Sequence, residues 1–213
     1  MYNFSYFKEK DKQVILEFME SHPFAFLTGS KLTGEQVATQ IPILVEEREG
    51  ELFLQGHIMR KTDHHQTFLE NPQVLVVFTG PSCYVSASWY SNPQQGSTWN
   101  YMSVHLQGKL RFMSAEELES FMRKLSLKFE EGNQLSPTSY DNLPIAYSSK
   151  MMPAIVGFEI KVDKMDNVFK LSQNRDEASY LNIIRELEAL GGESALVAAE
   201  MKKRQVALFK TSG

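Results

Sequence analysis

Between Phe24 and Met113 the chain is a succession of short runs rich in Val, Ile, Phe and Tyr, cut at Gly29, Gly34, Gly50, Gly80-Pro81 and Pro93. β-Branched and aromatic residues fit a pleated, half-buried surface, and glycine and proline punctuate it. The runs 24–28, 37–45, 51–57, 73–79, 84–89 and 99–112 therefore predict a mostly antiparallel sheet of about six strands that closes on itself. Helical spacing flanks these runs. Lys8–Ser21 carries Val14, Ile15, Phe18 and Met19 on a helical period and is stopped at His22-Pro23. Thr62–Glu70 makes a helical turn or two before Asn71-Pro72. Ser114-Ala-Glu-Glu117 is a capping box, behind which Leu118, Phe121, Met122, Leu125 and Phe129 share one face, so a helix is predicted over Ala115–Glu131. After a long loop with Pro137, Pro144 and Pro153, strand pattern returns over Ile155–Val162 and turns at Asp166-Asn167 into Val168–Leu171. Helical spacing resumes over Asp176–Leu190, breaks at Gly191-Gly192 and restarts over Glu193–Arg204. The fold class expected is α+β, mainly β: a barrel domain over residues 1–175, including the inserted helix 115–131, and a C-terminal helical arm, 176–213, packed on the barrel or on a partner subunit.

At 213 residues, with 42% hydrophobic and 23% charged side chains, the chain can bury a substantial core and has no disordered or fibrous bias. A net charge of -4 and an isoelectric point near 5.8 exclude a surface that coats nucleic acid throughout, so any DNA contact must be local. The single Cys83 cannot staple the fold. No charged start with an apolar run and small-residue cleavage site, and no apolar span of membrane length, is visible. The expectation is a soluble cytoplasmic protein that does not enter a membrane.

The chemistry concentrates in residues 83–101, which hold both tryptophans, Trp89 and Trp99, together with Tyr84, Tyr90, Tyr101 and several hydroxyls. Rings that bury well but keep a polar handle suit the wall of a pocket for a flat ligand. On an extended strand, Tyr84, Ser86, Ser88 and Tyr90 would alternate with Val85, Ala87 and Trp89, giving one hydroxyl-bearing and one apolar face. In Thr98-Trp99-Asn100-Tyr101, Asn100 has low strand preference and a carboxamide able to pair with alternating donors and acceptors. Arg60-Lys61-Thr62, directly after a strand, offers the charge-assisted donors that an anion leaving bulk water requires, and reads equally as an exposed basic turn. His57, His64, His65 and His105 invite a metal, but the adjacent His64 and His65 point to different faces of a helix and no Glu completes a zinc pattern, so no metal is expected and these histidines read as structural or flavin-adjacent. The two C-terminal helices have a superficial helix-turn-helix spacing. Their second member opens on acidic and apolar residues, Glu193 to Glu200, and keeps Lys202, Lys203 and Arg204 for its far end, where they complement the helix dipole. A packing arm is expected there, not a DNA-reading element.

Several strings taken together resemble the PaiB family of flavin mononucleotide (FMN)-binding transcriptional regulators: Gly56-His57, Phe78-Thr-Gly-Pro81, Tyr84-Val-Ser-Ala-Ser-Trp-Tyr90, Thr98-Trp-Asn-Tyr101, Val104-His105, Ile155-Val-Gly-Phe158 and Lys170-Leu-Ser-Gln-Asn-Arg175. Their order and spacing cover nearly the whole chain, from the opening Met-Tyr onward. The resemblance implies an FMN-binding split β-barrel with flanking helices, of the type shared with pyridoxamine-phosphate oxidases and flavin reductases, usually a homodimer with flavin at the interface. Members are associated with repression of sporulation and degradative-enzyme genes in Bacillus-type bacteria. Carried onto this sequence, it implies FMN contacts from His57, Arg60, Lys61, Thr62, Tyr84, Ser86, Trp89, Thr98, Trp99, Asn100, Gln173 and Arg175. Gln173 and Arg175, with Lys170, would reach the site across the dimer interface; the alternative is that this string only caps a helix, through Ser172 or Asn174.

Three functions follow. The first is a PaiB-type negative transcriptional regulator that binds FMN as a homodimer and represses directly or through another factor. The second is an FMN-dependent oxidoreductase of the pyridoxamine-phosphate-oxidase-like class, in which the cofactor performs the redox step and His57 or Tyr84 donates a proton. The third is a cofactor-less split-barrel interaction protein, suggested by Thr62-Asp63-His64-His65 where family members often carry an Asn-Pro pair and then Trp.

Overall fold

The computed structural model describes residues 2–209, so Met1 and the last four residues of the expected C-terminal arm lie outside the described residues. In chain order the elements are α1 (Lys12–Ser21), β1 (Phe24–Ser30), β2 (Gln36–Pro42), β3 (Leu44–Arg48), β4 (Glu51–Met59), α2 (Asp63–Glu70) and β5 (Gln73–Val85). They continue with β6 (Thr98–Phe112), α3 (Ala115–Phe129), α4 (Ile145–Met151), β7 (Ile155–Lys170), α5 (Glu177–Leu190) and α6 (Gly192–Phe209). The α+β, mainly β class holds.

The strands form one seven-stranded sheet in the order β2-β1-β5-β6-β7-β4-β3, and the registered pairs are antiparallel. β2 and β3 stand at opposite edges of that order, yet the single residue Ile43 joins them, buried with its N–H donated to the Pro23 carbonyl at 2.8 Å. The sheet must therefore curl until its edges meet at that corner without a ladder to join them. This corrects the expectation of a sheet that closes on itself: the barrel is split.

The chain divides into two compact units, one comprising residues 1–18, 79–104 and 166–213, the other residues 19–78 and 105–165. The second unit carries portions of all seven strands. Its side-chain core includes Leu27, Leu54, Val76, Leu106 and Phe158, each at most 1% exposed. A further cluster packs α3, through Leu118, Phe121 and Leu125, on Leu44 and Ile155. The capping box forms as predicted, with Ser114 Oγ accepting from the Glu117 N–H and the Glu117 side chain accepting from the Ser114 N–H. Phe129, expected on the buried face, is exposed.

In the first unit α5 and α6 pack as a pair, burying Tyr180, Ile183, Leu187, Val197 and Met201, with the Tyr180 hydroxyl donated to the Met201 carbonyl at 2.9 Å. α5 and α6 thus lie against each other as a helical pair. Asp176 caps α5 by accepting the Ser179 N–H, so neither Ser172 nor Asn174 is the cap.

Other segments depart from the sequence reading. Gly80-Pro81 does not end a strand: β5 runs through it to Val85. The register of β1 on β5 spans Val74–Val77, so the missing N–H of Pro81 falls beyond it. Residues 84–89 are accordingly no separate strand, since Ala87–Trp89 is a 3₁₀ turn with Ser86 accepting from the Ser88 N–H. The run 37–45 is two strands, and Ile155–Lys170 is one strand without a turn at Asp166-Asn167. There Asp166 pairs with Lys8, and Asn167 bonds both the N–H and the carbonyl of Glu9.

Candidate functional site

β4 delivers His57 with its neighbours fixed by close packing. Gly56 lies opposite Phe158 on β7 and His57 opposite Gly157. The His57 ring stands 6.0 Å from the Phe121 ring of α3, and its Nδ1 is buried with no hydrogen-bond partner among the described residues. Burial pushes its pKa down, so the imidazole is neutral at neutral pH. A buried polar atom without a protein partner is where a ligand or water is expected to bond.

This histidine lines a cleft of about 300 Å³ together with Thr39, Thr62 and His64 on the polar side and Ile41, Ile58, Met59 and Ile155 on the apolar side. The volume lies at the small end of the roughly 300–1,000 Å³ of ligand pockets. Between Met59 and Thr62, both in its wall, come Arg60 and Lys61. Among the described residues neither cation makes a side-chain hydrogen bond or ion pair, and both are exposed. The backbone of this turn is tied at each step. Arg60 N–H donates to the Ala154 carbonyl at 2.9 Å, Lys61 N–H to His65 Nδ1 at 3.0 Å, and Thr62 Oγ1 donates to the Met59 carbonyl at 2.9 Å while capping α2. The Thr62 proton is thus committed, and what this residue offers a ligand is an acceptor. Asp63 takes the His64 N–H at 2.7 Å, the main reason its carboxyl sits below the ordinary value.

The remaining sequence-predicted residues belong to the other unit. Tyr84 and Trp99 form an exposed pair, 50% and 56% accessible, with rings edge to face at 6.4 Å. Ser86 bonds Ser88 at 2.8 Å, and Trp89 is half-buried, its carbonyl accepting from Asn182. Thr98 Oγ1 accepts from Lys170, whose ammonium stands 5.2 Å from the Tyr2 ring. Burial, and then the charge of Arg175, push the Lys170 pKa down.

Asn100 is fully buried: its Oδ1 accepts from Ser172 at 3.0 Å and its amide faces Met201 Sδ at 3.5 Å. Its carboxamide therefore serves the interior. Gln173 folds back on β7, accepting the Leu171 N–H and donating to the Phe169 carbonyl. Arg175 stacks over the Tyr90 ring at 4.0 Å and bonds Gln95.

Thr39, Ile41 and Ile155 were not anticipated in the cleft, and in the other unit neither was the N-terminal aromatic group. There Tyr2, Phe4 and Tyr6 are exposed around Phe7, with the Phe4 and Tyr6 rings stacked at 5.3 Å. The alternation Tyr2-x-Phe4-x-Tyr6 was a visible signal for it. Among the described residues no group of three or more His, Cys, Asp or Glu side chains converges to hold a metal, and no helix is long and apolar enough to cross a membrane.

Residues 1–164 match the family model described as "Putative FMN-binding domain". The chain is 32% identical, over 201 residues, to the protease synthase and sporulation protein PAI 2 of Bacillus subtilis (strain 168), covering 94% of this chain and 96% of that protein. Among solved structures it is similar to the FAD and heme binding protein of Mycobacterium smegmatis, with TM-score 0.58, 16% identity, and 76% of this chain and 73% of that one covered. A flavocytochrome from Azotobacter vinelandii gives TM-score 0.57 at 18% identity, over 79% and 72% of the two chains. Those two likenesses concern the fold alone and agree with the split barrel. With the family model matched across most of its length and a relative at 32% identity over nearly all of it, the chain belongs to the PaiB family of FMN-binding-domain proteins.

Proposed function

We propose that the chain is a PaiB-type negative transcriptional regulator, a homodimer that binds FMN and represses through a protein partner. The observation that carries the FMN part is the turn Arg60-Lys61: two cations that, among the described residues, have no carboxylate partner, beside a cleft in which His57 Nδ1 is buried and likewise unbonded. A phosphate monoester carries close to two negative charges at neutral pH and three acceptor oxygens, the complement of such a turn. Arg60 and Lys61 hold the phosphate, His57 meets a polar atom of the ligand, and Ile41, Ile58 and Ile155 exclude water from its apolar part. FMN, when bound, supplies a ring system that accepts and returns electrons, and so a state that a regulator can sense.

The homodimer is supported by the resemblance and by the exposed Tyr84–Trp99 pair, two aromatic side chains of the type enriched at interfaces. Repression through another protein, and not by base reading, is supported by α6. Its Lys202, Lys203 and Arg204 are each ion-paired, with Glu188, Glu200, and Glu200 together with Glu9. Cations already neutralised give little counterion release on DNA.

The test is twofold. Protein reconstituted with FMN and passed through a desalting column should stay yellow, and colourless protein that takes up no FMN would refute the reading. In a gel-shift assay above about 150 mM salt, isolated protein should release promoter DNA, because non-specific contacts fade steeply with salt; sequence-specific retention would show that repression is direct. A second reading, an FMN-dependent oxidoreductase, is favoured by the neutral, unbonded His57 as a proton donor. Rapid bleaching of the bound flavin by NADH or NADPH, with turnover on an acceptor, would establish it.

A further inference from the structure

We propose that His65 is the positioning residue of the anion-binding turn: its Nδ1 holds Lys61 in the left-handed conformation that shapes the Arg60-Lys61 segment, and a proton on that nitrogen releases it. The inference rests on the reading of this turn as the phosphate site. Lys61 is, among the described residues, one of the few non-glycine positions with positive φ, at 66°. That conformation is unfavourable for an L-residue and persists only where the surroundings hold it.

What holds it is the Lys61 N–H bond to His65 Nδ1, at 3.0 Å. His65 is itself immobilised. It is 8% exposed, sits in the first turn of α2 with its N–H accepted by Thr62 Oγ1, and meets the Phe112 ring edge to face at 5.1 Å. An imidazole nitrogen accepts only when it carries no proton, so the ring must be the neutral tautomer with its hydrogen on Nε2. Protonation would set two donors, Nδ1–H and the Lys61 N–H, against each other.

The charged and titratable groups facing the ring are Arg60 from the turn and His64 from its own helix, with Asp63 beside His64; from β6 the neighbour is the uncharged Phe112. Burial first, then Arg60 and His64, lower the His65 pKa, so the lock is closed at neutral pH and opens only below the ordinary histidine range. The sign separates this account from simple electrostatics. An added positive charge next to a phosphate would by itself tighten binding, whereas release of the turn weakens it.

The experiment compares FMN affinity from neutral to acid pH in the wild type, His65→Asn and His65→Ala. The asparagine Oδ1 can accept the Lys61 N–H and does not titrate. At neutral pH His65→Asn should bind FMN within a factor of two of the wild type, and His65→Ala about fivefold more weakly, the worth of one hydrogen bond. On acidification the wild type should lose affinity relative to His65→Asn, a ratio from which the phosphate's own ionisation cancels. A flat ratio, or an alanine variant that binds as tightly as the wild type, overturns the proposal. Should the wild type bind no FMN, the proposed function falls, and amide exchange at Lys61 then decides the lock alone. Protection in the wild type and His65→Asn but not in His65→Ala supports it; equal exchange in all three overturns it.

Discussion

Gly56 and Phe158 are register partners across β4 and β7, and a methyl group on Gly56 would stand 2.6 Å from Phe158 Cζ. Phe158 is fully buried and has nowhere to swing, so the glycine is required by the ring that covers it. The next residue is His57, whose position in the cleft depends on this close approach. Gly56→Ala should destabilise the fold by roughly 1–3 kcal/mol, the usual cost of overpacking, and weaken FMN binding in the same variant. Denaturant unfolding with and without FMN checks both.

Glu159 is the best-buried carboxylate of the described sheet, 5% exposed, and takes bonds from Arg48, from Gln55 at 2.9 Å and from Arg111 at 2.8 and 3.2 Å. Burial alone would push its carboxyl up, but the bonds from Arg48, Gln55 and Arg111 together outweigh it and hold the carboxyl below the ordinary range. A depressed folded-state pKa contributes stability above the unfolded value and loses it as pH falls through the folded one. Glu159→Ala should therefore cost about 3 kcal/mol at neutral pH, the low end for breaking a buried pair because both arginines are half exposed. The difference from the wild type should shrink as pH drops below about 4, the ordinary carboxylate value. Thermal unfolding across that range measures it.

The parts of the fold written in local sequence were legible, and those made by distant contacts were not. Ser114 and Glu117 announce α3 because a capping box is a three-residue matter, and Pro23 stops α1 for an equally local reason. Residues 8–11 were read as helix but instead tie the chain down, Lys8 to Asp166 and Glu9 to Asn167, partners 158 positions away. Asn100 looked ligand-facing because a carboxamide is rare in a strand; its true partners, Ser172 and Met201, are 72 and 101 positions downstream. At the cleft, Thr62 in the wall and Arg60 and Lys61 beside it could be picked from residue type and their place after a strand. Thr39 and Ile155 could not, because Ile155 reaches the cleft by pairing β7 with β4 across a long sequence separation, and only the curl of the sheet sets β2 beside β4.

The basic end of α6 is expected to be silent in DNA binding. Replacing Lys202, Lys203 and Arg204 together by alanine should leave the salt slope of any promoter binding unchanged, where three free phosphate contacts would have reduced it by about three. Loss of the Arg204–Glu9 and Arg204–Glu200 pairs should lower stability modestly, by less than about 1 kcal/mol each.

The exposed Tyr84–Trp99 pair is expected to be covered in solution by a second copy of the chain. Trp99→Ser should shift the sedimentation profile from dimer toward monomer and cost several-fold to a hundredfold in dimer affinity, the range for a central aromatic anchor. A wild-type monomer at all accessible concentrations would remove the homodimer from the account.

The most direct measurement is a titration of FMN into flavin-free protein, followed by quenching of flavin fluorescence, for the wild type and for Arg60→Ala/Lys61→Ala. One FMN per chain is expected in the wild type and a loss of about a hundredfold in the double variant, two charge-assisted contacts at roughly tenfold each. Saturable binding that ignores both substitutions, or no binding to the wild type, would contradict it.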